Sequence, residues 1–203
     1  INYDVNIDNS SNITANSPDA GAYGMFARAS NGSVTINNDG NLDVDSYYGY
    51  ATGIYAGSYG DLTITGSGDI SAITSGDYFG GYADATGILA RNSSFAGGVT
   101  IDVSGDIYAG TTYGNATGID AYTFVGYVDI TSSGDIDVST LYGNAIGIRT
   151  GRYGYTTIDN SGDINAYTYI GSSRGIAAYS FYGIDVTNSG DIDAESAFAG
   201  TSR

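Results

Sequence analysis

The chain has 203 residues, with 22 acidic side chains against six Arg, no Lys and no His, for a formal net charge of −16 at pH 7. That balance argues against nucleic acid as a partner, since its recognition needs a basic face, and equally against an anionic membrane surface. Gly 32, Tyr 20, one Pro, no Trp and no Cys depart from an average globular domain, and no apolar run reaches the roughly 20 residues of a membrane-spanning helix.

Asp and Asn suit turns and solvated faces, so most of the charge reads as solubility. The chain begins at Ile1 without an initiator Met or signal peptide, which predicts a mature or cropped chain. The first element is a V-x-I segment, Val5-Asn6-Ile7. A corner, Ser10-Ser11-Asn12, leads from it into Ile13. The same unit returns as Val34-Thr35-Ile36 before Asp39-Gly40-Asn41-Leu42, and as Leu62-Thr63-Ile64 before Ser67-Gly68-Asp69-Ile70. Its clearest copy runs from Val99 to Ile107, followed by Val128-Asp129-Ile130, Thr156-Thr157-Ile158 and Ile184-Asp185-Val186, each leading into Ser-Gly-Asp-Ile. Counted on the Ile or Leu after the corner, the copies recur after 29, 28, 37, 29, 28 and 28 residues. Such a period marks a repeat array.

Each repeat carries three short strand candidates. The V-x-I segment alternates apolar with Thr, Asn or Asp, the period-two signature of a half-buried strand. A second strand follows the corner, as in Ile107-Tyr108-Ala109 and Ile136-Asp137-Val138. A third is marked by Gly-Ile pairs at Gly53-Ile54, Gly87-Ile88, Gly118-Ile119, Gly147-Ile148 and Gly175-Ile176, with Gly24-Met25 as an early variant. No segment sustains a helical period. Three strands per repeat joined by Gly-rich corners predict an all-β, single-chain parallel β-helix of about six to seven coils of 28–37 residues, one solenoid domain over 1–203. The extra residues of the long repeat fall around Asp77 to Gly81 and Asn92 to Phe95, at the corners flanking the Gly-Ile strand, where they leave the stacking undisturbed.

Two side-chain rows stand out. Tyr48, Tyr82, Tyr113 and Tyr142 each lie five residues before the Gly of a Gly-Ile pair; Tyr59, Phe124, Tyr153 and Phe181 lie five after its Ile. Equivalent residues of a β-helix are about 4.8 Å apart, so these predict aromatic stacks along the solenoid. Corner packing is the simpler role, and an aromatic strip for carbohydrate or a partner surface the functional one. The second row is Asp69, Asp106, Asp135, Asp163 and Asp191, preceded by Asn12 and Asn41. The expected structural role is an Asx-type turn at each corner, which Asn makes equally well. The alternative is calcium held between rungs by carboxylate and carbonyl oxygens; the G-G-x-G-x-D nonapeptide is absent.

Without His, Cys or Lys, Ser-His, Cys-His and Lys nucleophiles and His/Cys zinc sites are excluded. Paired carboxylates of the glycosidase type stay conceivable, yet every singled-out Asp belongs to a repeated rung. Arg149, Arg152 and Arg174 gather near the corners flanking the Gly-Ile strand of the last coils, where the expectation is neutralisation of nearby Asp. No enzymatic role and no resident cofactor are expected.

The units Leu62 to Ile70, Val99 to Ala109 and Ile184 to Ala194, with the Gly-Ile pairs, resemble the passenger regions of bacterial autotransporter-like surface proteins. The resemblance spans essentially the whole chain at the level of repeat style. It implies a right-handed β-helix at the bacterial cell surface or outside the cell, acting as stalk, adhesin or matrix element. Glycans or a host or neighbouring cell surface would be its partners, with a glycan-binding or carbohydrate-active β-helix as the alternative. Ser202-Arg203 aligns with Ser173-Arg174, ahead of a further Gly-Ile strand. The chain is therefore expected to be a window of a longer solenoid or a subunit that stacks end to end into fibres.

Overall fold

The computed structural model describes residues 3–76, 83–198 and 202, and these are all-β, without a helix. The first coil contains β1 (Val5–Asn9), β2 (Ile13–Ser17) and β3 (Ala22–Arg28); the second, β4 (Val34–Asn38), β5 (Leu42–Ser46) and β6 (Ala51–Ser58). The third contains β7 (Leu62–Gly66), β8 (Ile70–Thr74) and β9 (Ala85–Asn92); the fourth begins with β10 (Val99–Val103) and β11 (Ile107–Tyr113). Two long strands, β12 (Ala116–Ser132) and β14 (Ala145–Asn160), each close one coil and open the next, with β13 (Ile136–Tyr142) between them. β15 (Ile164–Ile170), β16 (Ser173–Ala177), β17 (Gly183–Asn188) and β18 (Ile192–Phe198) complete the series.

Equivalent strands pair in parallel from coil to coil, giving three faces. The first face runs β1-β4-β7-β10-β12-β14-β17. The second runs β2-β5-β8-β11-β13-β15-β18. The third runs β3-β6-β9-β12-β14-β16, and Ser202 returns to it by bridging Ser173 in parallel. The protein is a parallel β-solenoid. The apolar alternation sets the register: Ile36, Ile64, Ile101, Ile130 and Ile158 pair in sequence and are buried. A shift of one residue would turn this whole row outward, so the register is strongly specified. In β17 and β18 the corresponding Ile184, Val186 and Ile192 are partly exposed.

The long repeat does not disturb the stack. Ile107 pairs with Ile70 and Ile119 with Ile88 in the register of the shorter repeats. Asn92 fills the enlarged corner, where its amide donates to the carbonyl oxygens of Gly60 and Gly98. The other expected insertion, Asp77 to Gly81, lies outside the described residues.

The Gly-Ile pair has a packing cause. A Cβ on Gly53, Gly87, Gly118 or Gly147 would stand 2.2, 2.3, 2.4 or 2.3 Å from the Cγ2 of Ile70, Ile107, Ile136 or Ile164, respectively. The third face thus presses its backbone onto the Ile row of the second. Buried hydroxyls close the corner between these faces: Thr74, Thr111, Thr140 and Thr168 donate to the carbonyls of Gly49, Ala83, Gly114 and Gly143 in the preceding coil, at 2.7–3.0 Å. Each satisfies a carbonyl that the turn takes out of the strand ladder.

Candidate binding face

The corner residue before each second-face strand accepts from the coil above. Asn41 N–H donates to the Asn12 side chain at 3.1 Å, Asp69 N–H to Asn41 at 3.0 Å, and Asp106 N–H to Asp69 at 3.0 Å. Asp135, Asp163 and Asp191 continue the series onto Asp106, Asp135 and Asp163 at 2.9, 2.9 and 2.8 Å. The expected Asx-type turn is corrected here: the acceptor serves the equivalent N–H of the next coil and not its own. The reason is geometric. With a parallel stack about 4.8 Å apart, the next rung's N–H is the unpaired donor within reach of a short side chain.

The other two corners repeat the device. Ser33, Asp61 and Gly98 donate N–H to Asp4, Ser33 Oγ and Asp61 before the first face. Asn115, Asn144 and Ser172 donate to Asp84, Asn115 and Asn144 before the third. The rungs Asp69, Asp106, Asp135, Asp163 and Asp191 form a hydrogen-bonded row, and among the described residues no three His, Cys, Asp or Glu side chains are grouped as metal ligands.

The aromatic rows divide. Tyr113 and Tyr142 stack face to face, centroids 5.1 Å apart at 2°. Tyr48 packs edge-on against its neighbour Tyr47 instead, and Tyr82 lies outside the described residues. In the other row Phe124, Tyr153 and Phe181 touch in tilted or edge geometry at 6.4 and 5.9 Å. Phe95, contributed by the long repeat, joins this row against Phe124 at 4.9 Å. Tyr59 is exposed and has no ring contact among the described residues. The strip from Phe95 to Phe181 is open to solvent, with Tyr153 at 50% and Phe181 at 72% exposure, so burial does not account for it.

Beside that strip lies a feature that the repeat pattern did not reveal. On the third face a cleft of about 670 Å³ is lined by Arg91, Ser93, Asp120, Tyr122, Arg149, Gly151 and Tyr179, among others. Tyr179 also borders a smaller hollow of about 260 Å³ with Tyr153 and Phe181. β12 and β14 place Asp120 opposite Arg149, and the carboxylate takes the guanidinium in both prongs, Nε–H to Oδ1 at 2.9 Å and Nη2–H to Oδ2 at 2.6 Å. That hydrogen bond pushes the Arg149 pKa up, against the opposing effect of burial. Neutralisation of Asp by Arg therefore holds for Arg149. Its location differs from the corner expected, because it projects from the middle of the strand. The signal was available: outward positions after the Gly-Ile pairs read Phe26, Tyr55, Leu89, Asp120, Arg149 and Ala177, which is not a repeat. The chain matches no protein-family model, no curated protein and no solved structure.

Proposed function

We propose that this chain is a non-enzymatic, structural and adhesive β-solenoid that works outside the cell, with its third face as the contact surface. The observation that carries the reading is a contrast between the corners and the third face. Corner ladders tie coil to coil with side chains of one chemical kind, as a stiff spacer requires, whereas the outward positions of the third face vary from coil to coil. Repeat arrays display variable side chains on the face that binds and keep the rest uniform. The resemblance in repeat style to autotransporter-like passenger regions supports surface display. Catalysis by paired carboxylates would need a second acid in the cleft. Asp120 is the one carboxylate lining it among the described residues, and both its oxygens are engaged by Arg149.

The test is retention of the purified chain on immobilised polysaccharides and on whole cells. A third-face variant, Tyr179→Ala with Arg91→Gln, is compared with a second-face variant, Tyr108→Ser with Asp137→Asn. Loss of retention in the first alone supports the reading. Equal retention of both, or of neither together with unaltered wild-type elution, overturns it.

A further inference from the structure

We propose that the third-face cleft binds a carboxylated sugar of an acidic glycan, with Arg91 and Arg149 holding the carboxylate and the Tyr122–Tyr179 floor taking the ring. This rests on the third face being the contact surface and goes further by naming the ligand class.

The first observation is charge segregation. Four of the six Arg, Arg28, Arg91, Arg149 and Arg174, lie on the third-face segments 22–28, 51–58, 85–92, 116–123, 145–151 and 173–177, which include one acidic side chain, Asp120, out of 22 in the chain. The rest of the chain carries 21 acidic side chains against two Arg. The cleft lining itself carries two cations, Arg91 and Arg149, against one carboxylate, Asp120, and Asp84 also acts on Arg149, all within the distance over which charge is felt at physiological salt. Arg149 has five N–H donors, and Asp120 engages two groups, Nε and Nη2, so further donors remain on a guanidinium already oriented. Arg91 is exposed and makes no ion pair among the described residues. A planar fork recognises a carboxylate through paired N–H bonds.

The second observation concerns Gly151. Tyr122 pairs with it across the sheet, and Arg91 pairs with Tyr122, so the three form one outward row. A Cβ on Gly151 would meet nothing nearer than Tyr122 Cδ2 at 3.9 Å, and its φ is not in the left-handed region. Neither packing nor backbone conformation asks for glycine there. Its effect is to leave the floor open between Tyr122 and Tyr179. Aromatic walls with a few convergent polar groups are the usual make-up of a ligand cleft. Here they suit a flat ring that carries hydroxyls beside Ser93 and one carboxylate beside the Arg pair.

Glycan is favoured over nucleic acid by charge density. A polynucleotide brings a phosphate at every residue and would lay most of them against the acidic faces. A uronate- or sialate-bearing oligosaccharide brings its charge on separate rings, which two Arg in one cleft can match.

The experiment is calorimetric titration with galacturonate, glucuronate and sialate oligosaccharides, their carboxyl-reduced counterparts, and a single-stranded oligonucleotide. At least one acidic oligosaccharide is expected to bind, at least tenfold more tightly than its reduced form and more weakly as salt rises. Arg91→Gln should weaken it about tenfold, the size expected for loss of one charged hydrogen-bonding group. Gly151→Leu should abolish it with an unchanged circular dichroism spectrum and Tm. Binding of none of the acids, preference for the oligonucleotide, or indifference to Arg91→Gln overturns the assignment. Equal binding of the reduced sugars that is still lost in Gly151→Leu overturns the acidic class while leaving the third face as the contact surface.

Discussion

The carboxylate of Asp106 accepts the backbone N–H of Asp135, 29 residues on, at 2.9 Å, while Asp135 returns its carbonyl to the N–H of Ile107 at 2.8 Å. One residue per coil thus satisfies the donor that the corner would otherwise leave unpaired, and the same exchange recurs from Asn12 to Asp191. Charge is incidental to this role, since Asn12 and Asn41 make the bond with an amide oxygen.

Asp106→Ala should therefore cost about 1 kcal/mol, the net worth of one hydrogen bond at an exposed corner. Asp106→Asn should match or exceed the wild type, because it keeps the acceptor and removes repulsion of about 1 kcal/mol from Asp69 and Asp135. Urea unfolding checks both, and the gain of the Asn variant should shrink at high salt. Calcium or chelator should leave the Tm unchanged, since no third ligand group converges on the rungs among the described residues.

Ile130 is fully buried between Ile101 and Ile158, whereas its neighbour Thr131 faces solvent. Ile130→Asp loses about 1.5–3 kcal/mol of burial and adds an unpaired interior charge, so the coil should fail to fold cooperatively. Thr131→Asp should stay within about 0.5 kcal/mol of the wild type. Thermal melts of the two variants decide the inward assignment.

Two glycines of adjacent third-face coils should respond oppositely to the same change. A Cβ on Gly118 would come within 2.4 Å of Ile136 Cγ2 and 2.6 Å of the Gly147 carbonyl, so Gly118→Ala should destabilise by about 1–3 kcal/mol through overpacking. Gly151→Ala meets open space and should be neutral or slightly stabilising, as removal of glycine from a strand interior reduces the entropy lost on folding. Urea midpoints of the pair measure the contrast.

Tyr23, in β3, has its phenol pushed from 10.0 up to about 12 by burial and by its hydrogen bond with Tyr50. The folded chain then holds a proton that the unfolded chain releases near pH 10, so stability from this group is full below pH 10 and declines as pH rises toward about 12. Tyr23→Phe removes that component. Its Tm should fall less than the wild type's between pH 10 and 12, read by circular dichroism.

The repeat, the inward Val, Ile and Ala rows and the three strands per coil were legible in the chain itself. Period-two alternation repeated at a near-constant interval leaves few ways to bury every apolar row at once, and stacked parallel strands are one of them. The Asp row was equally visible, but its partner was not. An Asx turn within one corner and a bond to the next coil place the same residue at the same position, and only the roughly 4.8 Å stacking of corners selects the second. The Gly-Ile pair likewise marked a strand without giving its cause, which is the approach of Ile70, Ile107, Ile136 and Ile164 from another face. The cleft was least legible, because Arg91, Asp120, Tyr122, Arg149, Gly151 and Tyr179 break the repeat and sit up to 88 residues apart along the chain. A local pattern fixes which way a side chain points; its neighbours on the outer face come from coils one repeat away, so their chemistry converges only when the coils stack.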